Sequence, residues 1–354
     1  MPRTAKAGAW LVAAAIVVGL LLTGLQALGG TAHADQSVGT EHLPLAGPAD
    51  PDKVVAGVYV SNIQQVDLAT NSFDADFYVW LRWSNPDIDP TAGIEIMNVY
   101  QSWALTQTPI YEEPRKQADG SLVWLVRYQG SFNSTLSLSD YPFEDQTLKI
   151  VIEDGEQNIK QIVYEPDRDP IKLDSAITLA GYEIGRPRIE FGTNTYDTSF
   201  GEIDSTVENR TYTRIVVEIP VSSPVTSGIV KIILPVLTVL VASSLGLIIP
   251  AAYVDSKVNV PITALIALVA MHFVVSASLP QVGYLLMIDL VYILAYIAVT
   301  VMLGGAVMGA WKLKTAGEDA AMALERRFLV WTGAGFLLSL VAVLLLYLPE
   351  GALF

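Results

Sequence analysis

Residues 251–280 read AAYVDSKVNVPITALIALVAMHFVVSASLP, an apolar stretch that exceeds the roughly 20 residues needed to cross a bilayer core. Steps of three and four residues place one set of side chains on a single face of the predicted helix. These are Asn259, Thr263, Ile266, Ala270 and Phe273, with Asp255 just before them. The face is polar at its first end and apolar from Ile266 onward. A helix surrounded only by lipid would not carry such polar side chains without partners.

The pattern fits two structures about equally well. In the first, the helix lines a water-filled pore with a charged mouth and an apolar constriction deeper in. In the second, the helix packs in a bundle and its small polar side chains hydrogen-bond neighbouring helices. The rest of the chain is needed to choose between them.

Four apolar segments, of which this is the second, fill residues 225–349. We predict helices at about 227–253, 257–278, 283–311 and 326–348, each long enough to span a membrane, followed by a tail at 350–354. Lys257 lies between the first two segments and four basic residues lie between the last two, whereas residues 278–283 carry none. By the positive-inside rule, these basic connections face the cytoplasm. The sequence therefore predicts a multi-pass protein of the plasma membrane, with both ends outside the cell and Asp255 at the cytoplasmic mouth.

The part of the chain before residue 225 has a different pattern. Residues 1–34 have the basic start, apolar stretch and small-residue cleavage site of a signal peptide, and 35–52 form a leader without periodicity. Residues 53–224 contain eight to ten short alternating segments separated by turn signals, such as FDADFYVWLRW at 73–83. This spacing predicts an antiparallel β-sandwich of the immunoglobulin-like type.

Composition narrows the function. The 354-residue chain has a formal charge of −15, and residues 35–224 hold 30 acidic and 13 basic residues. This acidity argues against a nucleic-acid partner and favours cations, protons or amines. The chain has no cysteine, and it shows no zinc-protease, nucleophile-elbow or phosphate-loop motif. We therefore predict neither an enzyme nor a bound cofactor.

Three motifs, in order and at suitable spacing, carry a resemblance to a known family. They are YPFEDQTL at 141–148, FYVWLRW at 77–83, and the pair IILP at 232–235 and SLP at 278–280. With them the chain resembles the pentameric ligand-gated ion channels, specifically prokaryotic members that lack the disulfide of the animal receptors. The resemblance implies a β-sandwich outer domain followed by a four-helix transmembrane domain. It also implies a homopentamer, with four further copies of the chain around one axis.

The resemblance implies that the second helix of each subunit faces the pore. Asp255, Asn259, Thr263, Ile266, Ala270 and Phe273 would then be pore-lining, the same set that the helical face gives. Five Asp255 carboxylates would concentrate cations at the mouth, so we predict a channel selective for monovalent cations. Ile266 and Phe273 are candidates for an apolar gate. Two alternatives stay open: Asp255 pairs with Lys257, or the protein is a membrane-anchored sensor that does not conduct.

The resemblance also implies a ligand site between adjacent outer domains. The matching positions are Tyr78, Trp80, Glu153, Asp154, Tyr196, Phe200 and Tyr212. Aromatic faces with carboxylates suit a small cationic amine. Glu153 and Asp154 would equally suit a divalent cation such as a modulatory Ca²⁺, and clustered acids also allow activation by protons.

Coupling of ligand binding to the pore is implied for Tyr141, Pro142, Phe143 and Glu144, and for Pro280 after the second helix. The chain departs from the family here, since Ser223 stands where an arginine is usual and Glu144 where an aspartate is usual. Two further expectations concern the membrane segments. Lys231 and Asp289 are expected to pair, because isolated charges in a membrane are costly, and His272 is expected to be a helix-packing residue.

Overall fold

The computed structural model of this protein describes residues 51–201, 203, 206–250 and 252–347. The predicted signal peptide, nearly all of the leader and the tail at 350–354 lie outside these residues. The described chain forms two compact units. One contains residues 51–136 and Asp145–Ser222, and the other contains Ser137–Glu144 and the chain from Ser223 onward. Each unit is described by itself below.

The first unit is a sandwich of two β-sheets. Its strands are β1 (Asp52–Asp67), β2 (Ser72–Trp83), β3 (Ile94–Ile96), β4 (Thr106–Pro109), β5 (Arg115–Lys116), β6 (Leu122–Asn133), β7 (Asp145–Asn158), β8 (Ile162–Leu173), β9 (Glu183–Ile184), β10 (Arg188–Thr195) and β11 (Thr211–Ser222). One sheet has the order β4-β6-β2-β1-β8, with β5 beside β6. The other has the order β10-β11-β7-β3, with β9 beside β11.

Alternation along the strands builds the core of the sandwich. In β2, Phe77, Val79 and Leu81 are fully buried, while Tyr78 and Trp80 lie on the opposite, partly exposed face. Strand β11 alternates in the same way over its whole length. The predicted sandwich is therefore present, but it is not wholly antiparallel, because β1 and β8 pair in parallel. The alternation cannot distinguish these cases, since it fixes which face is buried and not the direction of the neighbouring strand.

The second unit is built from helices. They are α1 (Val225–Leu245), α2 (Val254–Ala277), α3 (Met287–Ala316) and α4 (Glu318–Tyr347). Each is long and apolar enough to cross a membrane. A π-helical turn, Ile229–Ile233, interrupts α1 one residue before Leu234 and two before Pro235. Helix α3 is the most enclosed of the four.

Two helix boundaries differ from the prediction by about eight residues each. Helix α1 ends at Leu245 rather than near residue 253, and it is followed by Gly246 and Pro250, which both disfavour helix continuation. Helix α4 begins at Glu318, and only Gly317, with a φ of 85°, separates it from α3. The charged segment predicted as a loop is therefore helical. Hydropathy detects only the apolar part of a helix, whereas Lys, Glu and Ala also favour helix.

Helix α2 starts at Val254, so Pro261 lies inside the helix, beyond its first turn. Proline has no amide hydrogen and cannot donate to the carbonyl four residues earlier, which belongs to Lys257. Pro261 itself is buried, on the same side of α2 as Lys257, Ala264 and Leu268. This buried side defines how α2 packs within the subunit.

Candidate functional site

The opposite side of α2 is open in the subunit. All six residues of the predicted pore-lining set are exposed: Asp255, Asn259, Thr263, Ile266, Ala270 and Phe273. Ile266 is 66% exposed and Phe273 is 74% exposed, which is unusual for large apolar side chains inside a packed bundle. We refer to these six residues as the open face of α2. The subunit itself does not cover this face.

In the described structure, the polar end of the open face hydrogen-bonds only within its own helix. The Thr263 hydroxyl donates to the Asn259 carbonyl oxygen of its own helix at 2.9 Å. Within the described residues, neither side chain hydrogen-bonds a neighbouring helix. The bundle alternative requires such bonds, so this subunit gives it no support.

Asp255 lies in the first turn of α2 and is exposed. A carboxylate there is stabilised by the positive end of the helix dipole. The alternative in which Asp255 pairs with Lys257 is wrong, because Lys257 is 1% exposed and its Nζ atom lies 2.5 Å from Glu325 Oε2 on α4. The Asp255 carboxylate therefore stays with the open face.

A second polar cluster lies between α2 and α3. The ring of His272 stacks on Tyr292 with centroids 4.5 Å apart, and its Nδ1 atom is 3.1 Å from the Tyr296 hydroxyl. Its Nε2 atom is 3.3 Å from Asp289 Oδ1. The expected pair between Lys231 and Asp289 is wrong: Lys231 is exposed and forms no ion pair in the described chain. His272 supplies the partner instead and packs between helices, as its place off the open face indicates.

The sandwich contains a cavity of about 330 Å³. Its wall combines three aromatic side chains, Tyr196, Phe200 and Tyr212, with the charged residues Glu95, Glu153 and Arg210. Tyr196 meets Phe200 and Tyr212 edge-on, with centroid distances of 5.3 and 5.9 Å. Four of the seven predicted ligand-binding residues thus lie together in one subunit, because β7, the chain after β10 and the start of β11 meet there.

Glu153 is the most constrained group at the cavity. It is 1% exposed, and its Oε2 atom accepts hydrogen bonds from Nε of Arg214 at 2.6 Å. Its Oε1 atom accepts a hydrogen bond from the Tyr196 hydroxyl at 2.6 Å. Burial, and next the bond to Glu153, raise the pKa of Tyr196. The carboxylate therefore ties the aromatic wall to β11.

Asp154 does not belong to this cavity. Adjacent strand residues point to opposite sides, and Asp154 Oδ1 accepts the Glu156 and Gln157 amides at 3.0 and 2.6 Å. Its Oδ2 atom receives the Tyr164 hydroxyl at 3.3 Å, and burial raises its pKa. The two carboxylates thus have separate protein partners. No group of three or more His, Cys, Asp or Glu arranged to hold a metal occurs in the described part of the chain.

No protein-family model matches this chain. A protein of Gloeobacter violaceus named "Proton-gated ion channel" is 23% identical to it over 273 residues, covering 71% of this chain and 73% of that protein. A match of this extent spans both the sandwich and membrane helices. The chain is a homologue of this proton-gated channel, which is a prokaryotic pentameric ligand-gated channel. That relative is an ion channel and not an enzyme, and the four apolar helices of this chain fit a multi-pass membrane protein.

The predicted coupling loop of this channel homologue packs on its helices. Phe143 is 2% exposed, and a Cβ atom on Gly228 of α1 would lie 2.8 Å from Phe143 and 2.9 Å from Pro142. The Met287 amide at the start of α3 donates to Ser139 O at 3.0 Å. Glycine at 228 is therefore required by the loop that resembles the family motif.

The other predicted coupling residues are partly or fully buried. Tyr141 is partly buried, Glu144 is buried, and Pro280 is partly buried just after α2. The Ser223 amide donates to the Glu144 carbonyl oxygen at 3.1 Å, so a backbone hydrogen bond joins the two positions at which the chain departs from the family motif that it resembles.

Tyr78 and Trp80 lie on the other sheet of the sandwich and do not reach the cavity. Trp80 Nε1 donates to Asp167 Oδ2 at 2.9 Å. The Tyr78 ring lies 5.5 Å from the Arg127 guanidinium, which also binds Asp76.

Sequence reasoning missed three charged residues at this site: Glu95, Arg210 and Arg214. Arg214 had a signal, since it is the only basic residue in the alternating stretch TYTRIVVEI of β11. Its pairing with Glu153 depends on the register of β7 against β11. Glu95 and Arg210 lie in short or irregular segments that show no periodicity.

Proposed function

We propose that five copies of this chain form a cation-selective ligand-gated channel in the plasma membrane, with the sandwich outside the cell. The observation that carries the proposal is the open face of α2. It continues for about five helical turns, from a carboxylate through polar side chains to apolar ones. A central pore formed by five such helices would expose this face to water without leaving polar groups in lipid.

Asp255 supports cation selectivity. Five copies around one axis would bring five carboxylates to the cytoplasmic mouth, where they attract cations and repel anions. Asp255 has no ion pair in the described chain, so its charge is not offset locally. A ring of carboxylates separates ions by the sign of their charge, and we propose monovalent cations as the permeant ions.

Ile266 and Phe273 support an apolar gate. Both project from the open face, and five copies of each would form two apolar rings. Narrow apolar rings lose their water and block ions even when the pore is not sterically closed. The gate would therefore open by a small widening of the pore at these positions.

The acidic sandwich is the proposed receptor. Its cavity offers three aromatic rings and two carboxylates to a small ligand, and Tyr78 and Trp80 of an adjacent copy would complete the site. The relative from Gloeobacter is named as proton-gated, which favours protons as an alternative activator. In either case, activation would alter the bonds of Glu153 to Arg214 and Tyr196. The loop at 141–144, together with Pro280, would transmit this change to the helices.

Current recording from the purified protein in planar bilayers tests this function. The channel is activated by a step in pH or by addition of an amine, in the presence of a salt gradient. The reversal potential of the current should then lie close to the cation equilibrium potential. D255N should move it toward zero, whereas D319N, which removes an exposed carboxylate from the start of α4, should not. Absence of current over a panel of pH values, amines and Ca²⁺ concentrations would instead favour a sensor that does not conduct.

A further inference from the structure

A buried ion pair joins α2 to α4. Lys257 and Glu325 are each 1% exposed, and Lys257 Nζ lies 2.5 Å from Glu325 Oε2. Glu325 Oε1 is also buried and accepts no hydrogen bond in the described structure. Lys257 is thus the one polar partner that the described residues provide for this carboxylate. The pair is formed at the level of α2 where the proposed pore has its charged mouth.

Helix α3 has space for this pair. A Cβ atom on Gly309 would lie 1.9 Å from Glu325 Oε1, so any other residue there would displace the Glu325 side chain from its place beside Lys257. One turn earlier, a Cβ atom on Gly305 would lie 2.8 Å from Phe328. Two glycines four residues apart therefore allow α4 to approach α3 closely, as small residues do in membrane helix pairs. The close approach lets the Glu325 side chain reach Lys257.

The helix geometry separates Lys257 from Asp255. Two residues correspond to about 200° around a helix and a rise of about 3 Å, so the two side chains leave α2 on opposite sides at nearly the same depth. Asp255 is exposed and Lys257 is buried, as this geometry requires. A lysine without a buried partner would instead extend its flexible stem until the ammonium reaches water. At this depth, the nearest water would be the mouth of the proposed pore.

We infer that Glu325 is a selectivity-determining residue: by holding the Lys257 ammonium in the α2–α4 pair, it leaves Asp255 as the charge that ions meet at the mouth. The inference rests on the proposed channel function. In a pentamer, release of five ammonium groups toward the mouth would offset the five Asp255 carboxylates. Glu325 acts on ions only through Lys257, so it is a positioning residue that never touches the permeant ion.

The test compares E325Q with the double variant K257M/E325Q in bilayer recordings under a salt gradient. E325Q should lower the cation-to-anion permeability ratio by about tenfold or more, since it cancels the electrostatic focusing at the mouth. The double variant, which removes both charges, should keep the selectivity of the unmodified channel. Elution volume and thermal unfolding of each purified variant check that assembly is retained.

Three results would overturn the inference. The first is an assembled E325Q channel with unchanged selectivity, and the second is a double variant as poorly selective as E325Q. The third is a double variant that is more cation-selective than the unmodified channel, because Lys257 would then act on ions despite its pair. The comparison of the double variant with the unmodified channel can be made even if E325Q alone does not assemble. Absence of cation current from the unmodified protein would reject the proposed function instead, so the two failures are distinguishable.

Discussion

The Glu153 carboxylate and the Arg214 guanidinium form an ion pair across strands β7 and β11, with both Nε and Nη2 of Arg214 lying 2.6 Å from Glu153 Oε2. The two residues are register partners, and a bulge follows Tyr212 on the same strand. Because Oε1 also receives the Tyr196 hydroxyl, a single buried carboxylate connects both strands to the aromatic wall of the cavity. The ion pair and the aromatic contacts of Tyr196 therefore hold the wall of the cavity in place.

Replacement of Arg214 tests this connection. R214M should lower the stability of the protein by about 3–5 kcal/mol, because it leaves a buried carboxylate without its cation. Thermal unfolding of the purified protein provides the measurement. The double variant R214M/E153Q should recover most of the loss, since no charge is then left buried. Equal destabilisation in the single and double variants would show that the pair does not provide the stability.

Tyr196 and Tyr212 offer a matched comparison. Both rings line the cavity, but only the Tyr196 hydroxyl hydrogen-bonds Glu153 within the described structure. Y196F should therefore shift the ligand concentration or pH that gives half-maximal current, by about tenfold or one pH unit for a lost hydrogen bond to a charged group. Y212F should leave the activation curve nearly unchanged. Equal shifts in both variants would show that the hydrogen bond between Tyr196 and Glu153 takes no part in activation.

The pH dependence of stability should reflect Asp76. Its hydrogen bond with Arg127 is the largest factor that lowers its pKa, so the folded pKa lies below the unfolded one. Its contribution is therefore present above the unfolded pKa, near 4, and is lost as pH falls through the folded pKa. D76N should be less stable than the unmodified protein at pH 6, and the difference should shrink below about pH 4. Unfolding curves between pH 2 and 7 measure this, and a constant difference would contradict the assignment.

Ile266 provides a test of the gate. I266S should raise the current in the absence of activator by about tenfold or more, because a polar ring holds water in the constriction. The matched control is L338S, which makes the same kind of change at a 73% exposed position of α4. It should not change the resting current. A silent I266S channel with normal activated current would place the gate elsewhere, with Phe273 as the next candidate.

The sequence predicted those features that depend on periodicity. Alternation in β2 and the three-and-four spacing in α2 each identify a face, and the structure places Phe77 inside and Ile266 outside accordingly. Length and hydropathy likewise predicted the four apolar helices. Pattern is sufficient in these cases because burial of a face is a property of one element by itself.

The sequence did not predict contacts that depend on how two elements meet. Lys257 was interpreted as a loop charge, with a pair to Asp255 as an alternative, but α4 provides Glu325 at a distance of 68 residues along the chain. Asp289 was assigned to Lys231, although His272 lies nearer once α2 and α3 pack. Helix packing angle and rotation decide such pairs, and neither can be derived from hydropathy.

Accessibility of the open face of α2 is the most direct test of the central claim. The chain has no cysteine, so T263C and its neighbour A264C, an exposed and a buried position of the same helix, each provide a single reactive thiol. A charged, water-soluble thiol reagent should modify T263C in the open channel and reduce its current, and should leave A264C unmodified. Modification of A264C while T263C is protected, or protection of both, would contradict the account, because Thr263 would then face protein or lipid rather than a water-filled pore.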